Sequence, residues 1–337
     1  MVGTTGTPKH LVALAIVSIL LSACEQKSSE ATPPANPDGL HFPVACEPGK
    51  DCWIARYVNH GQGGKAKDYL CGGQSQPGHK GTDIAIADLG RMADGVAVLA
   101  AKSGTILRVR DGMPDVSVRK TGKAEVEGQK CGNGIVLAHD NGDESQYCHL
   151  KNNSITVAQG DTVTAGDQIA EIGLSGQTEF PHLHYMLRRD GQIIDPFDGS
   201  TMSDVCDASG PMLWAHDIAY EPLVLFELQA SEEPPKRETI WQAGANILSR
   251  NSPALVLTAR AMHIRQADQW HMVIRDPKGK TFVDQDMDID KDHQFYYRFI
   301  GRKQPAGGFM PGIWTGELTA SRADKDEKKV RIEFRVE

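Results

Sequence analysis

The sequence predicts a mainly β protein in two units behind an exported N-terminus, and three observations predict it. From His41 to about Asp207 the chain is a series of short β-type runs punctuated by Gly, Asn and Asp, with poor helical periodicity. Beyond residue 236, six longer strand-like runs follow one another. The charge balance changes sign between the two: residues 24–235 carry 17 basic and 30 acidic side chains, net −13, and residues 236–337 carry 18 and 14, net +4. At 337 residues the chain is long enough for two cores. With 40% hydrophobic and 24% charged residues, it is neither a polytopic membrane protein nor a wholly disordered chain. An overall charge of −8 also speaks against a generic nucleic-acid binder.

Residues 1–23 read as an export signal. Lys9 supplies the basic start, and Leu11 to Leu21 is an apolar run broken only by Ser18. That run is too short to cross a bilayer at about 1.5 Å per residue. It ends in Leu21-Ser22-Ala23-Cys24, which resembles the bacterial lipobox. The resemblance implies cleavage before Cys24 and a lipid anchor at Cys24 to a membrane. Glu25 follows, and by analogy with enteric lipoproteins it favours the outer membrane, with the chain facing the periplasm. Residues 24–40, rich in Ser, Pro, Ala and Asn, read as a flexible tether.

Of the seven cysteines, six remain beyond Cys24, an even number that suggests disulfides in an exported chain. Cys46 and Cys52 flank a tight loop and are the easiest pair to close; Cys71, Cys131, Cys148 and Cys206 are not paired by sequence alone. A thiolate zinc site is disfavoured, because no Cys-x-x-Cys spacing is present.

Within residues 41–212 the strand-like runs include Gly95 to Arg110, Gly134 to His139, Ser154 to Val157 and Gln168 to Ile172. Asp140-Asn141-Gly142-Asp143 is a hairpin signal between two runs. Residues 213–235, ending in Glu232-Glu233-Pro234-Pro235, read as a linker. In residues 236–337 the six runs are Ala254 to Ile264, Gln269 to Arg275, Lys280 to Val283, Phe295 to Ile300, Gly312 to Ala320 and Lys329 to Val336. They resemble an immunoglobulin-like β-sandwich, an accessory domain able to meet an envelope protein partner.

The chemistry lies in the first unit. Gly78-His79-Lys80-Gly81-Thr82-Asp83 sets His and Asp four apart. Pro77, Gly78 and Gly81 argue against a helix, and a fully extended strand would hold the two side chains roughly 13 Å apart at ~3.3 Å per residue. Two ligands of one metal ion cannot be so distant, so the chain must curl, and Gly81 permits it. Pro181-His182-Leu183-His184-Tyr185 is the second piece: alternation sends both histidines to one face and Leu183 to the other. Tyr147-Cys148-His149-Leu150, on the return arm of the hairpin, is the third, and alternation there predicts that Tyr147 and His149 share a face.

A lone histidine is usually an ordinary structural or surface residue. In this order, however, His-x-Gly-x-Asp, a hairpin His and His-x-His resemble the lysostaphin/LytM-type zinc endopeptidases, over about residues 76–198. Gly132-Asn133-Gly134, Gly173-Leu174-Ser175-Gly176 and Asp195-Pro196 look like scaffold turns of the same family. The resemblance implies an antiparallel β-sheet peptidase domain in which His79, Asp83 and His184 bind Zn2+ and His149 and His182 are catalytic histidines outside the metal shell. Three ligands leave a fourth position open, the mark of a catalytic zinc site. No His-Glu-x-x-His is present, so histidines must handle the protons. The implied substrate class is the peptide part of peptidoglycan. Glu179-Phe180-Pro181 stands where many members carry Thr-Gly-Pro, and Met186 where a Glu often follows the aromatic residue; these departures bear on substrate detail. Two other readings compete: a non-catalytic LytM-type module that activates another cell-wall hydrolase, and an envelope adhesin or assembly lipoprotein with a structural zinc.

Two further patterns are declined. Asp284, Asp286, Asp288, Asp290 and Asp292 match the start of a calcium loop, but Ile289 and Phe295 stand where Gly and Glu are needed, so a solvated strand face is preferred. Gly173-Leu174-Ser175-Gly176 misses the nucleophile-elbow spacing. Trp270 and Trp314 lie in strand-like runs and read as core.

Overall fold

A computed structural model of the chain describes residues 1–3, 36, 38–203, 205–207, 210–322 and 325–337. The apolar signal run, Cys24 and most of the expected tether lie outside the described residues. No helix among the described residues is long and apolar enough to cross a membrane.

Ten short strands build the first half: β1 Cys52–Arg56, β2 Thr82–Ile86, β3 Ala97–Leu99, β4 Gly104–Arg110, β5 Asn133–Ala138, β6 Glu144–Leu150, β7 Thr162–Val163, β8 Gln168–Glu171, β9 His182–Arg189 and β10 Gln192–Ile194. Eight of them form one antiparallel sheet in the order β1-β2-β9-β6-β5-β4-β7, with β10 also on β9, while β3 and β8 pair separately. Side-chain alternation divides the sheet into faces. Ile54, Ile84, Leu183, Tyr185 and Tyr147 point into a large apolar core. On the opposite face, Trp53, Ala55, Ala85 and Ala87 belong to a second apolar cluster.

The expected hairpin is present: β5 and β6 meet through a turn in which the Gly142 N–H donates to His139 O (2.9 Å), Gly142 taking φ +85°. Ser154 to Val157 forms no strand. One backbone bond to β8 remains there, from the Thr156 N–H to Ile169 O (3.1 Å), and side chains supply others: the Glu171 N–H donates to Ser154 Oγ (3.1 Å) and the Thr156 hydroxyl to Gln168 O (3.2 Å). Three disulfides close the first half: Cys46–Cys52 as expected, Cys71–Cys206 and Cys131–Cys148.

Nine strands follow: β11 Val224–Leu225, β12 Gln229–Ser231, β13 Ile247–Leu248, β14 Ala254–Ile264, β15 Gln269–Arg275, β16 Thr281–Asp288, β17 His293–Lys303, β18 Gly312–Arg322 and β19 Lys325–Val336. One sheet has the order β11-β14-β12 with β17 on β14; the other runs β13-β19-β18-β15-β16. Leu257, Ala261, Trp270, Met272, Trp314, Leu318 and Phe334 fill the core they share. Asp284, Asp286 and Asp288 lie exposed on β16 at the edge of its sheet, a solvated face.

Residues 213–235, read as linker from sequence, are packed: Trp214 is buried in the first core, and β11 and β12 pair with β14. Glu232, Glu233 and Pro234 are exposed, as are His216, Asp217 and Glu227. Apolar contact continues between the halves, because Trp53 and Ala85 from the first share a cluster with Phe226, Trp241 and Met262 from the second. Residues 34–337 accordingly form one compact unit.

Candidate metal centre and active site

The sheet order brings the three sequence motifs together. β2 and β9 are neighbours, and Asp83 stands directly across from His184 in their register. His79 lies just before β2. The turn that leads into His79 is closed by the His79 N–H on Gln76 O (3.0 Å), and Gly78, at φ +74°, supplies its left-handed residue. Gly81, assigned that task from sequence, is needed for a different reason: a Cβ there would stand 2.3 Å from Tyr185 O and 2.8 Å from His184 Nε2.

Asp83 Oδ1 is the meeting point. It lies 3.0 Å from His79 Nε2, 2.8 Å from His184 Nδ1 and 3.4 Å from His182 Nε2. Its other oxygen accepts from Arg56 Nη1 at 3.2 Å. His79 donates its Nδ1 proton to Tyr57 O (2.8 Å), which leaves Nε2 with a lone pair aimed at the cluster. His79, Asp83 and His184 each offer one donor atom to a common point. Bonds of 2.0–2.1 Å in a tetrahedral shell put ligand atoms about 3.3 Å apart. The observed spacing, one carboxylate and two imidazoles, therefore fits a zinc-sized divalent ion.

Two other groups of metal-binding residue types occur among the described residues. Cys46 and Cys52 of one are joined as a disulfide and offer no thiolate. His60, Asp195 and Asp198 of the other are buried away from solvent.

The electrostatics follow from burial and mutual charge. Burial alone would raise the Asp83 carboxyl, but the charges of His79 and His182 outweigh it and hold the group well below the usual carboxylate range. Burial opposes a charged His79, yet the Asp83 carboxylate and the Tyr57 carbonyl leave it raised. His184 is lowered, first by burial. His149 is pushed well below the ordinary histidine value by burial, then by the neighbouring His182 and His184. It is a neutral imidazole at neutral pH.

His149 corrects the sequence reading. Tyr147 points into the core, fully buried, with its hydroxyl accepting from the Ala101 N–H (2.8 Å), whereas His149 lines the cleft. The two do not share a face. Asn133 pairs with Leu150 and Gly134 with Cys148, so His149 is an extra residue in β6, a β-bulge, with φ 63°. Its N–H donates to Cys131 O (2.8 Å), and the Cys131–Cys148 disulfide ties the bulge to the turn before β5. Its Nδ1–H donates to Ser175 O (2.7 Å), leaving Nε2 free for chemistry.

His182 and His184 share the cleft face of β9, and Leu183 is in the core, as alternation requires. The Nδ1 of His182 meets Phe180 O at 3.0 Å and Thr178 Oγ1 at 3.1 Å. A carbonyl only accepts, so Nδ1 carries the proton and Nε2 presents its lone pair. The rings of His149 and His182 lie 4.8 Å apart. All five residues line one cleft of about 380 Å³, walled also by Arg56, Lys80, Lys123 and Lys130.

Sequence reasoning missed the residues that orient these groups. Arg56 and Tyr57 sit at the end of β1, far from any motif, and carry no local signal. Ser175 lay in a turn noted only as scaffold, and its carbonyl aims His149. Phe180 was noted as a departure from the family pattern; its ring stacks on His182 with centroids 4.4 Å apart.

The model of peptidase family M23 matches residues 77–196, close to the span of the sequence resemblance. The DD-carboxypeptidase/endopeptidase Mpg of Neisseria meningitidis serogroup B is 37% identical over 98 residues, 29% of this chain and 20% of the relative. The murein hydrolase activator EnvC of Escherichia coli K12 is 40% identical over 62 residues, 18% of this chain and 14% of the relative. The chain thus matches a fifth or less of the length of these relatives. Among solved structures, the catalytic domain of lysostaphin from Staphylococcus simulans aligns at 25% identity with a TM-score of 0.27, covering 42% of this chain and 85% of that one. Residues 77–196, which contain all five cleft residues, are a peptidase family M23 domain.

Proposed function

We propose that the protein is a zinc-dependent endopeptidase that hydrolyses peptide bonds in peptidoglycan stem peptides or cross-links, lipid-anchored at Cys24 in the cell envelope and acting in cell-wall remodelling. The observation that carries this reading is the convergence of His79, Asp83 and His184 on one point, with His149 and His182 beside it in the same cleft. A zinc ion held by His79 Nε2, Asp83 Oδ1 and His184 Nδ1 would supply Lewis acidity toward a scissile carbonyl and lower the pKa of water in the cleft.

The remaining work belongs to the chain's own side chains. Arg56 holds the second oxygen of Asp83, which keeps Oδ1 turned to the donor cluster. His149 Nε2, neutral because the group is buried, accepts a proton from the attacking water or returns one to the leaving amine; His182 Nε2 is placed for the partner step. As imidazolium, either ring stabilises the oxyanion. Arg56, Lys80, Lys123 and Lys130 outnumber Asp83 and Glu179 along the cleft, a balance suited to peptides that carry free carboxylates.

Cross-linked muropeptides digested with the purified protein should be cleaved at a peptide bond located by mass spectrometry, with cleavage abolished by a zinc chelator and restored by added zinc. The similarity to EnvC keeps a hydrolase-activating role as the second reading. A zinc-loaded protein that leaves every muropeptide intact, yet stimulates another cell-wall hydrolase, would overturn the first reading in favour of the second.

A further inference from the structure

A line of stacked rings joins one cleft histidine to the C-terminal half. The His182 imidazole stacks on Phe180 (centroids 4.4 Å apart, planes at 24°). Phe180 stacks on Trp241 (5.3 Å, 27°), and Trp241 on Phe295 of β17 (4.9 Å, 30°). Trp241 cannot drift along this line. Its carbonyl accepts from the Leu89 N–H (2.8 Å), and its ring carries the Arg260 guanidinium, 5.1 Å from its centroid. Arg260 is fully buried on β14 and donates to Ala87 O (2.7 Å), just past the end of β2. Phe180 is gripped from the other side by Arg56, 5.6 Å from its centroid, the same residue that holds Asp83.

The in-plane bond from His182 Nδ1 to Phe180 O fixes the direction of Nε2 but not the tilt of the ring about that bond. The face contact with Phe180 restrains the tilt, and Phe180 is itself held between Trp241 on one side and Arg56 on the other. Small misplacements of a proton-transfer group cost rate out of proportion to their size.

We propose that Trp241 is a positioning residue: through Phe180 it sets the plane of the His182 imidazole, so that the C-terminal half is part of the frame of the active site and not an appended module. This rests on the endopeptidase reading above. It assigns to the Phe180 departure from the family pattern a purpose, the docking of a ring supplied by residues outside the family's span.

The test uses full-length zinc-loaded protein and the variants W241M, which removes the ring at similar bulk, and W241F, which keeps one. W241M should lower kcat at least tenfold with KM changed less than twofold and zinc still at one per chain; W241F should recover most of kcat. Imidazole NMR signals of His182 should move in W241M and stay near the wild-type position in W241F, a readout that needs no substrate. Should W241M not fold, Phe295→Leu, which removes only the outermost ring, carries the same prediction at smaller size. A kcat within twofold of wild type with unmoved His182 signals would overturn the proposal. A wild type that cleaves nothing would instead sink the endopeptidase reading, and the His182 signals would still decide whether Trp241 sets the ring.

Discussion

The two halves of the chain are both mainly antiparallel β structure, β13 alone among the named strands pairing in parallel, yet they obey different rules. In the C-terminal half six of the strands run from seven to 12 residues, β14 pairs with β17 from Ala254 to Ile264 with only His263 skipped, and the other register shifts lie at strand ends, at Ile274/Arg275 and Ala320/Arg322. In the first half strands run from two to eight residues, and the register slips between β1 and β2, β4 and β5, and β5 and β6. The slip between β5 and β6 is what delivers His149 to the cleft. Regular pairing makes a support; interrupted pairing aims side chains where alternation would not send them.

The contrast can be broken first at the donor cluster. Asp83→Ala should lose zinc and reduce cleavage by roughly three orders of magnitude or more, since it removes a ligand and the shared hydrogen-bond acceptor at once; metal analysis and muropeptide digestion read both effects. His149→Ala should keep zinc at one per chain while cleavage falls about 10²–10⁴-fold, the range for a lost proton-transfer group. Zinc loss in that variant would mean that the bulge serves the metal rather than the proton.

In the regular half the same kind of truncation should act on stability instead. Trp314→Ala empties a buried site in the second core and should cost about 3–5 kcal/mol in denaturant unfolding, with zinc stoichiometry unchanged where the protein remains folded.

The smallest effect is a pH dependence. His263 of β14 is buried, and burial, then the Arg56 charge, lowers it to about 3. The unfolded chain therefore binds the proton at higher pH than the folded one. Stability from this neutral histidine is full above about pH 6.5 and is lost as pH falls toward 3, with a slope of up to about 1.4 kcal/mol per pH unit. Urea titrations between pH 5 and 7 should show a shallower slope for His263→Gln than for wild type at equal zinc.

Legibility in the sequence divides along the same line. Ala254–Ile264 and Gln269–Arg275 are strands with the bounds expected from their pattern, because both faces of a regular ladder are encoded residue by residue. His79, Asp83 and His184 were legible as a candidate donor set from residue type and spacing, and the fold brings their donor atoms within 4.8 Å of one another. What sequence could not give was the orientation of His149, which depends on a bulge set by Gly134 on the neighbouring strand and by Cys131 in the turn before it. Nor could it give Arg56, Phe180 and Trp241 as one group, since 185 positions separate the first from the last and only tertiary packing joins them. The linker expected at residues 213–235 failed for a related reason: Pro and Glu mark its exposed end, but Trp214 and the two short strands before that end are held by partners far along the chain.

The Cys71–Cys206 bond has a consequence of its own. The two cysteines bracket the whole M23 span, so His79, Asp83, His149, His182 and His184 all sit within one covalent circle. A single protease nick anywhere on that circle yields a two-chain species that stays tied together and keeps every one of the five. Closing so long a loop also removes about 4–5 kcal/mol of freedom from the unfolded chain in the chain-entropy model. The circle turns a cut that would otherwise part the two fragments into one that leaves all five side chains on a single covalently joined molecule.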